Sequence, residues 1–301
     1  MIVLILGSSG FIGQNLIQYL KSDFSVSTRS LRNDHALAEI FQEEVVVNLV
    51  GKAHDHQGSA TDQAYFEVNV RLLKEIYHRF VNSPSKIFVH ISSLAALEEF
   101  ESDHPLTETD ATNPVSFYGK SKRAAEEWLL AQPEIPGKKV IILRPPMVHG
   151  PGDKGNLTLL YKLISKGIPY PLSSFNNERS FISVDNFSFF IKEIILRHHL
   201  LSQNLYHIAD DQPLSTKEII LTIQEVCKKK VINLSLPKGL ISAIAKIGDV
   251  LPIPLNSKRL KKMTATLLVS NQKIKKELGI KTLPLSAEDG LKKTIESFKK
   301  P

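Results

Sequence analysis

Three side chains in the middle of the chain have the types and spacing expected of a proton-transfer group. Tyr118 and Lys122 are four residues apart, so a helix would place them on one face, one turn apart. A tyrosine with its ordinary pKa of about 10 is a poor base at neutral pH, and a nearby ammonium favours the phenolate. Ser93 ends an apolar run and is placed to hydrogen-bond a reacting hydroxyl or carbonyl. An exposed Tyr–Lys pair on an ordinary amphipathic helix is the alternative that this spacing alone leaves open.

A glycine-rich loop near the start of the chain predicts a nucleotide site. Gly7, Gly10 and Gly13 directly follow the apolar run 2–6. The first glycine permits a sharp turn, the second lets a pyrophosphate approach the backbone, and the third lets the next helix pack close to the strand. That helix also offers free N–H groups and a positive dipole end. A plain strand-to-helix turn would give the same pattern, but its place directly after a buried strand favours a dinucleotide.

The residues after the second predicted strand bear on which dinucleotide is bound. An acidic residue about 20 positions beyond the glycine loop would bind the ribose of NAD. This chain has Arg29 and Arg32 there, and no acid. A guanidinium would instead pair with the 2′-phosphate of NADP through charge-assisted hydrogen bonds. Solvated loop arginines would explain the same residues, so NAD stays open, and we favour NADP.

The elements that must position these groups alternate between strand and helix over the first 150 residues. This alternation predicts an α/β fold with a doubly wound parallel sheet of the Rossmann type. The strands are expected at 2–6, 24–28, 45–50, 86–91 and 140–143, with one more at Ile208 and Ala209, and the helices at 11–20, 64–80, 116–131 and 157–166. We expect residues 1–155 to form the dinucleotide-binding domain, with 183–210 returning to it. A smaller, discontinuous C-terminal substrate domain would comprise 156–182 and 211–301.

Composition narrows the class of protein. The chain has 301 residues, of which 42% are hydrophobic, enough for one large domain or slightly more. The single cysteine, Cys227, excludes an intramolecular disulfide and fits a reducing cytoplasm. The apolar N-terminus has no basic segment before it and is too short to cross a bilayer, which favours a buried strand over a signal peptide. We therefore expect a cytoplasmic protein with no integral membrane segment.

The formal net charge of +7 raises the question of an anionic partner. The excess lysines are grouped towards the C-terminus, spaced like solvated helix faces and without interleaved aromatic residues. We therefore expect no nucleic-acid partner, whereas a basic protein attracts anionic small molecules.

Two local features leave alternatives open. His54 and His56 are two residues apart, but no third ligand follows at a recognisable interval, so we expect no metal. The stretch 239–251 is amphipathic and flanked by lysines. It fits either the interior of the smaller domain or a membrane surface, and we favour the interior.

Taken together, the motifs resemble the extended short-chain dehydrogenase/reductase superfamily, and within it the NAD-dependent epimerase/dehydratase family that acts on nucleotide sugars. The resemblance extends along nearly the whole chain. Beyond the glycine loop and the Ser, Tyr and Lys above, the matching segments are 66–70, 113–122, 144–152, 179–186 and 274–279. Two positions depart from the family pattern: His149 stands where a tyrosine is frequent, and Leu49-Val50-Gly51 replaces the usual Leu-Ala-Ala.

The resemblance implies a role for each matched residue. Tyr118 is the general base or acid, Lys122 steadies the phenolate and the nicotinamide ribose, and Ser93, rather than Ser92, is the catalytic hydroxyl. The implied substrate contacts are Ser93, Asn156 and Arg179. The implied cofactor contacts are Gly7, Ser9, Gly10, Phe11, Ile12, Gly13, Arg29, Leu49, Val50, Asn69, Lys122 and Pro145.

The expected function is therefore that of an NAD(P)-dependent enzyme acting at C4 of a UDP-hexose. We favour a UDP-sugar 4-epimerase in surface-polysaccharide synthesis. An NADPH-dependent reductase of a UDP-4-keto-6-deoxyhexose would use the same residues in one direction. A non-catalytic NADP-binding regulatory protein would need a degraded catalytic set, whereas all three catalytic types are present. The sugar is either UDP-linked or lipid-linked, and the resemblance implies a homodimer formed through helices 64–80 and 116–131.

Overall fold

A computed structural model of the chain describes residues 1–31, 40–53, 61–172, 174–231, 236–251 and 256–299. Its strands, in chain order, are β1 (Ile2–Leu6), β2 (Ser25–Arg29), β3 (Val45–Asn48), β4 (Ile87–Ile91), β5 (Lys139–Arg144), β6 (Met147–His149), β7 (Glu178–Arg179), β8 (Phe181–Ser183), β9 (Leu205–His207) and β10 (Leu214–Ser215). Its α-helices are α1 (Phe11–Leu20), α2 (Asp62–Phe66), α3 (Leu72–Val81), α4 (Phe117–Leu130), α5 (Asn156–Ser165), α6 (Val184–Arg197), α7 (Thr216–Cys227), α8 (Lys238–Gly248), α9 (Ser257–Thr264), α10 (Gln272–Leu278) and α11 (Ala287–Ser297).

A six-stranded parallel sheet in the order β2-β1-β3-β4-β5-β9 forms the centre of the fold. The strand order reverses between β1 and β3, and ligands of such sheets bind beside the carboxyl ends of the strands at this reversal. The predicted doubly wound Rossmann sheet is thus confirmed. The ends of β1, β3 and β4 set the position of the site.

The central strands are apolar on both faces because helices cover both sides of the sheet. Successive residues of β1 alternate between the two sides: Val3 and Ile5 belong to the core that includes α1 and α6. Leu4 and Leu6 belong to the opposite core, which includes α3 and α4. This two-residue alternation is the ordinary geometry of a strand, and it explains why the run could be recognised in the sequence.

The predicted helix 64–80 is interrupted in the structure. Helix α2 ends at Phe66, a π-helical turn occupies Glu67–Arg71, and α3 then continues the chain. In this turn the N–H of Leu72 donates to the carbonyl of Glu67, five residues back. Asn69 lies in this wider turn, and its side chain is buried against Lys52 and Ser121. Turns of this kind are frequent at functional sites.

The strand that returns to the sheet lies slightly earlier than predicted. We placed it at Ile208 and Ala209, and the structure has it as β9, Leu205–His207, paired with β5. The N–H of Ile208 still donates to the carbonyl of Arg144 on β5, at 3.4 Å, and the backbone groups after it bond elsewhere: the carbonyl of Ala209 accepts from Asn271, and the N–H of Asp210 donates to the carbonyl of Phe181.

A second, smaller core lies under the C-terminal helices. It gathers apolar residues from α5, α7, α8, α9 and α11, represented by Leu157, Ile223, Ile241, Leu260 and Leu291. Helix α10, by contrast, packs into the large core through Ile274 and Leu278. The division into 1–155 with 183–210, and 156–182 with 211–301, stays a prediction. In the described part of the chain, no helix is both long and apolar enough to cross a membrane.

Candidate active site

The glycine loop turns sharply between β1 and α1. Gly7 has φ +81°, in the left-handed region that favours glycine, and a Cβ there would lie 3.0 Å from the backbone of Leu49 and Val50. A Cβ on Gly13 would lie 2.6 Å from the carbonyl oxygen of Gly7. Helix α1 therefore starts as close to the strand as backbone atoms permit.

The start of α1 has the features of an anion site. Gly10 is its N-cap, no side chain caps the helix, and its first turn contains no acid. Ser9 is exposed, and Phe11 and Ile12 are partly exposed. A helix N-terminus with free N–H groups and a loop without side chains is the environment that a pyrophosphate requires. The residues present therefore fit the phosphates of a dinucleotide.

The second wall of this crevice follows β3. The N–H of Leu49 donates to the carbonyl of Leu6 at 3.0 Å, and the N–H of Val50 donates to the side chain of Asn48 at 3.1 Å. Asn48 is itself buried against His90, with 3.2 Å between the Asn48 Nδ2 and the His90 Nδ1. Hydrogen bonds from β1 and from Asn48 thus hold this wall in place, and the predicted cofactor contacts Leu49 and Val50 adjoin the glycine loop.

Arg29 ends β2 and is paired with Leu6, the residue before the glycine loop. Its guanidinium lies over the ring of Phe41, 5.5 Å from the ring centre. The structure therefore places a cation at the edge of the sheet where the cofactor ribose is expected. Arg32, the second arginine of the prediction, lies outside the described residues.

Tyr118, Lys122 and Ser93 meet at the carboxyl end of β4, as the sequence predicts. Ser93 begins a 3₁₀ turn, Leu94–Ala96, and its hydroxyl accepts from the N–H of Ala95 at 3.2 Å. Helix α4 starts at Phe117 on the N-cap Ser116, which brings Tyr118 into its first turn. The Ser93 hydroxyl lies close enough to stabilise a charge on the Tyr118 oxygen.

The ammonium of Lys122 is buried beneath the cofactor crevice. Its Nζ donates to the carbonyl of Ile91 at 2.8 Å. A Cβ on Gly51 would lie 3.0 Å from this Nζ, so the glycine that departs from the family pattern leaves room for the ammonium. Burial lowers the pKa of Lys122 to about 8, and the carboxylate of Glu126, one turn further along α4, acts in the opposite direction.

The pKa of Tyr118 differs from our expectation. Burial raises this pKa above its ordinary value, and the charge of Glu99 and the neighbouring Tyr65 raise it further. The hydrogen bond with Ser93 acts in the opposite direction. The spacing of Tyr118 and Lys122 reports the nearby ammonium but not the desolvation that comes with burial. In this state Tyr118 carries its proton at neutral pH, which is the form of a general acid.

The two adjacent serines have different surroundings. Ser92 is buried, and its hydroxyl donates to the carboxylate of Glu126. The same carboxylate accepts from Arg144 at 2.8 Å and 2.6 Å, forming a buried bidentate ion pair. Ser93 is partly exposed beside Tyr118. The geometry thus agrees with the choice of Ser93 as the reacting hydroxyl and gives Ser92 a structural role.

Pro145 and Asn69, two further predicted cofactor contacts, hold neighbouring segments in place. The carbonyl of Pro145 accepts from the N–H of Leu94, which fixes the turn after Ser93. Asn69 bonds to both backbone groups of Lys52 and to the hydroxyl of Ser121. Both residues therefore border the crevice, and whether they contact the cofactor stays a prediction.

The predicted substrate residues lie on the smaller core's side. Asn156 is exposed at the first position of α5. Arg179 is partly buried, and its Nη1 donates to the carbonyls of Phe100 and Ala265 at 3.2 Å and 3.1 Å. Its guanidinium therefore joins the loop after β4 to the end of α9. Contact of either residue with a diphosphate stays a prediction.

Two carboxylates near the site are not among the predicted site residues. Glu99 is buried and accepts from the N–H groups of Val115 and Ser116, which fixes the residues just before α4. Glu126 follows Lys122 by four residues, and this spacing on one helix face is the signal that could have identified it. The role of Glu99 at the start of α4 could not be read from the local sequence, because its partners lie sixteen and seventeen residues away.

His149, the other departure from the family pattern, is fully buried. Its Nδ1 lies 2.9 Å from the hydroxyl of Thr294 on α11, and burial lowers its pKa to about 4. His54 and His56 lie outside the described residues. In the ranges that the structure describes, no group of three or more His, Cys, Asp or Glu could hold a metal ion.

On this doubly wound sheet, the glycine loop lies beside the group of Ser93, Tyr118 and Lys122. This combination defines a nicotinamide-dependent short-chain dehydrogenase/reductase site. Residues 3–208 match the family model described as "NAD dependent epimerase/dehydratase family". The chain belongs to this family, and it is an NAD(P)-binding enzyme of the epimerase/dehydratase type.

Individual relatives extend the likeness to the whole chain. A Vibrio cholerae protein named UDP-glucose 4-epimerase is 30% identical over 98% of this chain and 95% of its own length. A protein from Escherichia coli O157:H7, named N-acetyl-alpha-D-glucosaminyl-diphospho-ditrans,octacis-undecaprenol 4-epimerase, is 26% identical over 98% of this chain and 94% of its own. Among solved structures, a UDP-glucose 4-epimerase from Thermotoga maritima superposes with a TM-score of 0.77 at 18% identity, covering 100% and 99% of the two chains.

Proposed function

We propose that this protein is a 4-epimerase of a UDP-linked hexose. The observation that carries the proposal is the convergence of Ser93, Tyr118 and Lys122 at the end of β4, beside the glycine loop. The full-length similarity to a protein named UDP-glucose 4-epimerase supports it.

The chain's own residues supply binding, orientation and proton transfer. Tyr118 exchanges a proton with the sugar's C4 hydroxyl, and Ser93 hydrogen-bonds the same oxygen. Lys122 holds its ammonium beneath them, where it stabilises the phenolate form of the tyrosine. Asn156 and Arg179 bind the substrate diphosphate from the smaller core's side. The bound nicotinamide supplies reversible hydride exchange at C4.

Epimerisation uses Tyr118 in both protonation states. Burial favours the phenol, which returns the proton to the C4 oxygen in the second half of the reaction. Removal of the C4 hydroxyl proton in the first half requires the phenolate, which the ammonium of Lys122 stabilises and which the carboxylate of Glu126 supports by helping to keep Lys122 charged.

We also propose that NADP is preferred over NAD. Arg29 supports this proposal, because its guanidinium lies at the end of β2, where the 2′-phosphate would bind. Replacing Arg29 with Ala should weaken NADP binding by at least about tenfold and leave NAD binding nearly unchanged, since a charge-assisted bidentate contact contributes about 1.5–3 kcal/mol. Titration of both cofactors by fluorescence measures the ratio. An equal loss of affinity for NADP and for NAD would show that Arg29 does not determine the cofactor preference.

The same arginine favours one second candidate, an NADPH-dependent reductase of a UDP-4-keto-6-deoxyhexose. Net reduction consumes NADPH and would use Tyr118 only as an acid. Release of the cofactor by denaturation distinguishes the two: tightly held, stoichiometric cofactor supports the epimerase, and an empty protein that binds NADPH reversibly supports the reductase.

We also propose that the protein is a homodimer formed through the region of α2 to α4, and that it is located in the cytoplasm. Phe66 and Phe117 in this region are 38% and 51% exposed, and such rings would be covered by a partner. Light scattering of the wild type and of a Phe117→Ser variant tests the dimer.

The direct test is turnover. Purified protein should interconvert a UDP-hexose with its C4 epimer, with UDP-glucose, UDP-galactose and their N-acetylamino counterparts as the panel, detected by NMR. A Tyr118→Phe protein that folds normally should lose this activity. A cofactor-loaded protein that turns over none of these sugars would refute a UDP-hexose 4-epimerase.

A further inference from the structure

Helix α8 has two rows of apolar side chains, one buried and one exposed. Ile241 and Ala245 point into the smaller core and are buried. Leu240, Ile244 and Ile247 form the second row, about a third of a turn round the helix from the first, at spacings of four and three residues, and they are 50%, 38% and 53% exposed. A surface helix ordinarily presents polar residues on its outer side. The expectation that this stretch packs inside the smaller domain therefore accounts for only one of its two faces.

The exposed stripe continues past the end of the helix. Val250 is 85% exposed and Leu251 is 54% exposed. Leu251 follows Ile247 by four residues and extends the same row. Contiguous exposed apolar side chains of this kind mark a binding surface on a protein.

The stripe is bordered by positive charge. Residues 236–264 contain six Lys and Arg residues and one acid, Asp249, so this segment carries five of the chain's seven net positive charges. Both oxygens of Asp249 accept from Ser257, at 2.9 Å and 2.6 Å. This contact brings the segment with the exposed Lys258 and Arg259 next to the C-terminal end of α8, and the exposed Lys246 lies on α8 itself, between Ile244 and Ile247 in sequence.

The remaining lysines of α9 attach this surface to the large domain. Lys261 pairs with Glu101 at 2.7 Å, and Lys262 lies 3.5 Å from the carboxylate of Glu99. Glu99 in turn fixes the start of the helix that bears Tyr118. The basic helix is thus held in a defined position relative to the active site.

We infer that the outer face of α8, with its bordering cations, docks on a membrane surface that contains anionic phospholipid. An apolar row edged by Lys and Arg is the pattern of helices that lie in the interface of a bilayer, and each cation near an anionic surface adds attraction. A second copy of the chain fits this surface less well, because two such faces would bring like charges together. The inference is independent of which sugar the active site binds.

The experiment is co-sedimentation of the full-length protein with sucrose-loaded vesicles. Vesicles of phosphatidylcholine mixed with phosphatidylglycerol should bind the protein, phosphatidylcholine alone should bind it much less, and added salt should weaken the binding. The double variant Leu240→Ser with Ile247→Ser should lower the partition coefficient by about tenfold or more. Lys246→Gln, which removes one exposed charge and no packing, should lower it by about fivefold.

The control makes the same kind of change away from the stripe. Leu196 on α6 and Leu221 on α7 are each 47% exposed, and changing both to serine should leave vesicle binding unchanged. Circular dichroism and thermal unfolding establish that every variant is folded. Absence of binding to the anionic vesicles overturns the inference, as does binding that neither the double variant nor Lys246→Gln weakens. Self-association that the double variant abolishes, without vesicle binding, would assign the face to a second copy instead.

Discussion

Gly119, the residue after Tyr118, determines how closely α4 approaches the turn that follows Ser93. A Cβ at this position would lie 2.4 Å from the carbonyl oxygen of Ala95 and 2.7 Å from a carboxylate oxygen of Glu99, whereas ordinary contact begins at 3.4 Å. The nearer atom belongs to the backbone and has no freedom to rotate away. Gly119→Ala must therefore separate the helix from the turn by about 1.0 Å.

This movement should lower the catalytic rate far more than it lowers the stability of the fold. A misplacement of about 1 Å between reacting groups lowers a rate by roughly a hundredfold. Overpacking costs about 1–3 kcal/mol of stability, which the better helix propensity of alanine offsets by about 1 kcal/mol. We therefore expect kcat/KM for epimerisation to fall about a hundredfold, while the free energy of unfolding falls by no more than about 2 kcal/mol. Initial rates and urea unfolding measure the two quantities.

Gly239→Ala is the matched control. No heavy atom lies within 4 Å of a Cβ built on Gly239, which is also helical. This variant should keep full activity and gain up to about 1 kcal/mol of stability. A Gly119→Ala enzyme with kcat/KM within about twofold of the wild type would refute the reasoning that the contact between the α4 start and the Ala95 turn positions the two catalytic hydroxyls.

Four further substitutions and one pH profile test the roles of the remaining groups. Tyr118→Phe should lower kcat by about a hundredfold to ten-thousandfold with cofactor binding unchanged, and pre-steady-state rates would show it. Ser93→Ala should lower kcat with little loss of stability, whereas Ser92→Ala should lower the melting temperature with a smaller loss of kcat; the reverse pattern would exchange their roles. In the wild type, activity should fall as pH rises through about 8, because the charged form of Lys122 is lost there. Glu126→Gln removes the charge that raises this pKa, so the alkaline limb of the kcat/KM profile should move to lower pH, and a limb that stays in place would contradict the assignment.

Much of the cofactor region could be predicted because its determinants are local. The limits of α1, Phe11–Leu20, are those read from the sequence, since the glycines before it and the apolar period within it both lie in one short stretch. Tyr118 and Lys122 could be recognised from their four-residue spacing and Ser93 from its place after an apolar run, whereas their meeting depends on how α4 packs against the turn after β4. Each of these signals can be read over ten residues or fewer.

Other features depend on partners that are distant in sequence. The π-helical turn at Glu67–Arg71 places Asn69 against Lys52, seventeen residues away, and the local pattern there is that of an ordinary helix. The raised pKa of Tyr118 results from burial, which no spacing reports. The sequence of α8 indicates an amphipathic helix. Which of the two apolar rows on this helix is exposed depends on which row the smaller core covers.

The central claim is tested most directly by following a deuterium label at C4 of the UDP-hexose that the protein turns over. A 4-epimerase that recycles its hydride should yield the epimer with deuterium retained at C4, with no accumulation of keto sugar or reduced cofactor. Label recovered in released reduced cofactor, together with a keto sugar in solution, would contradict 4-epimerisation and support a one-way oxidoreductase.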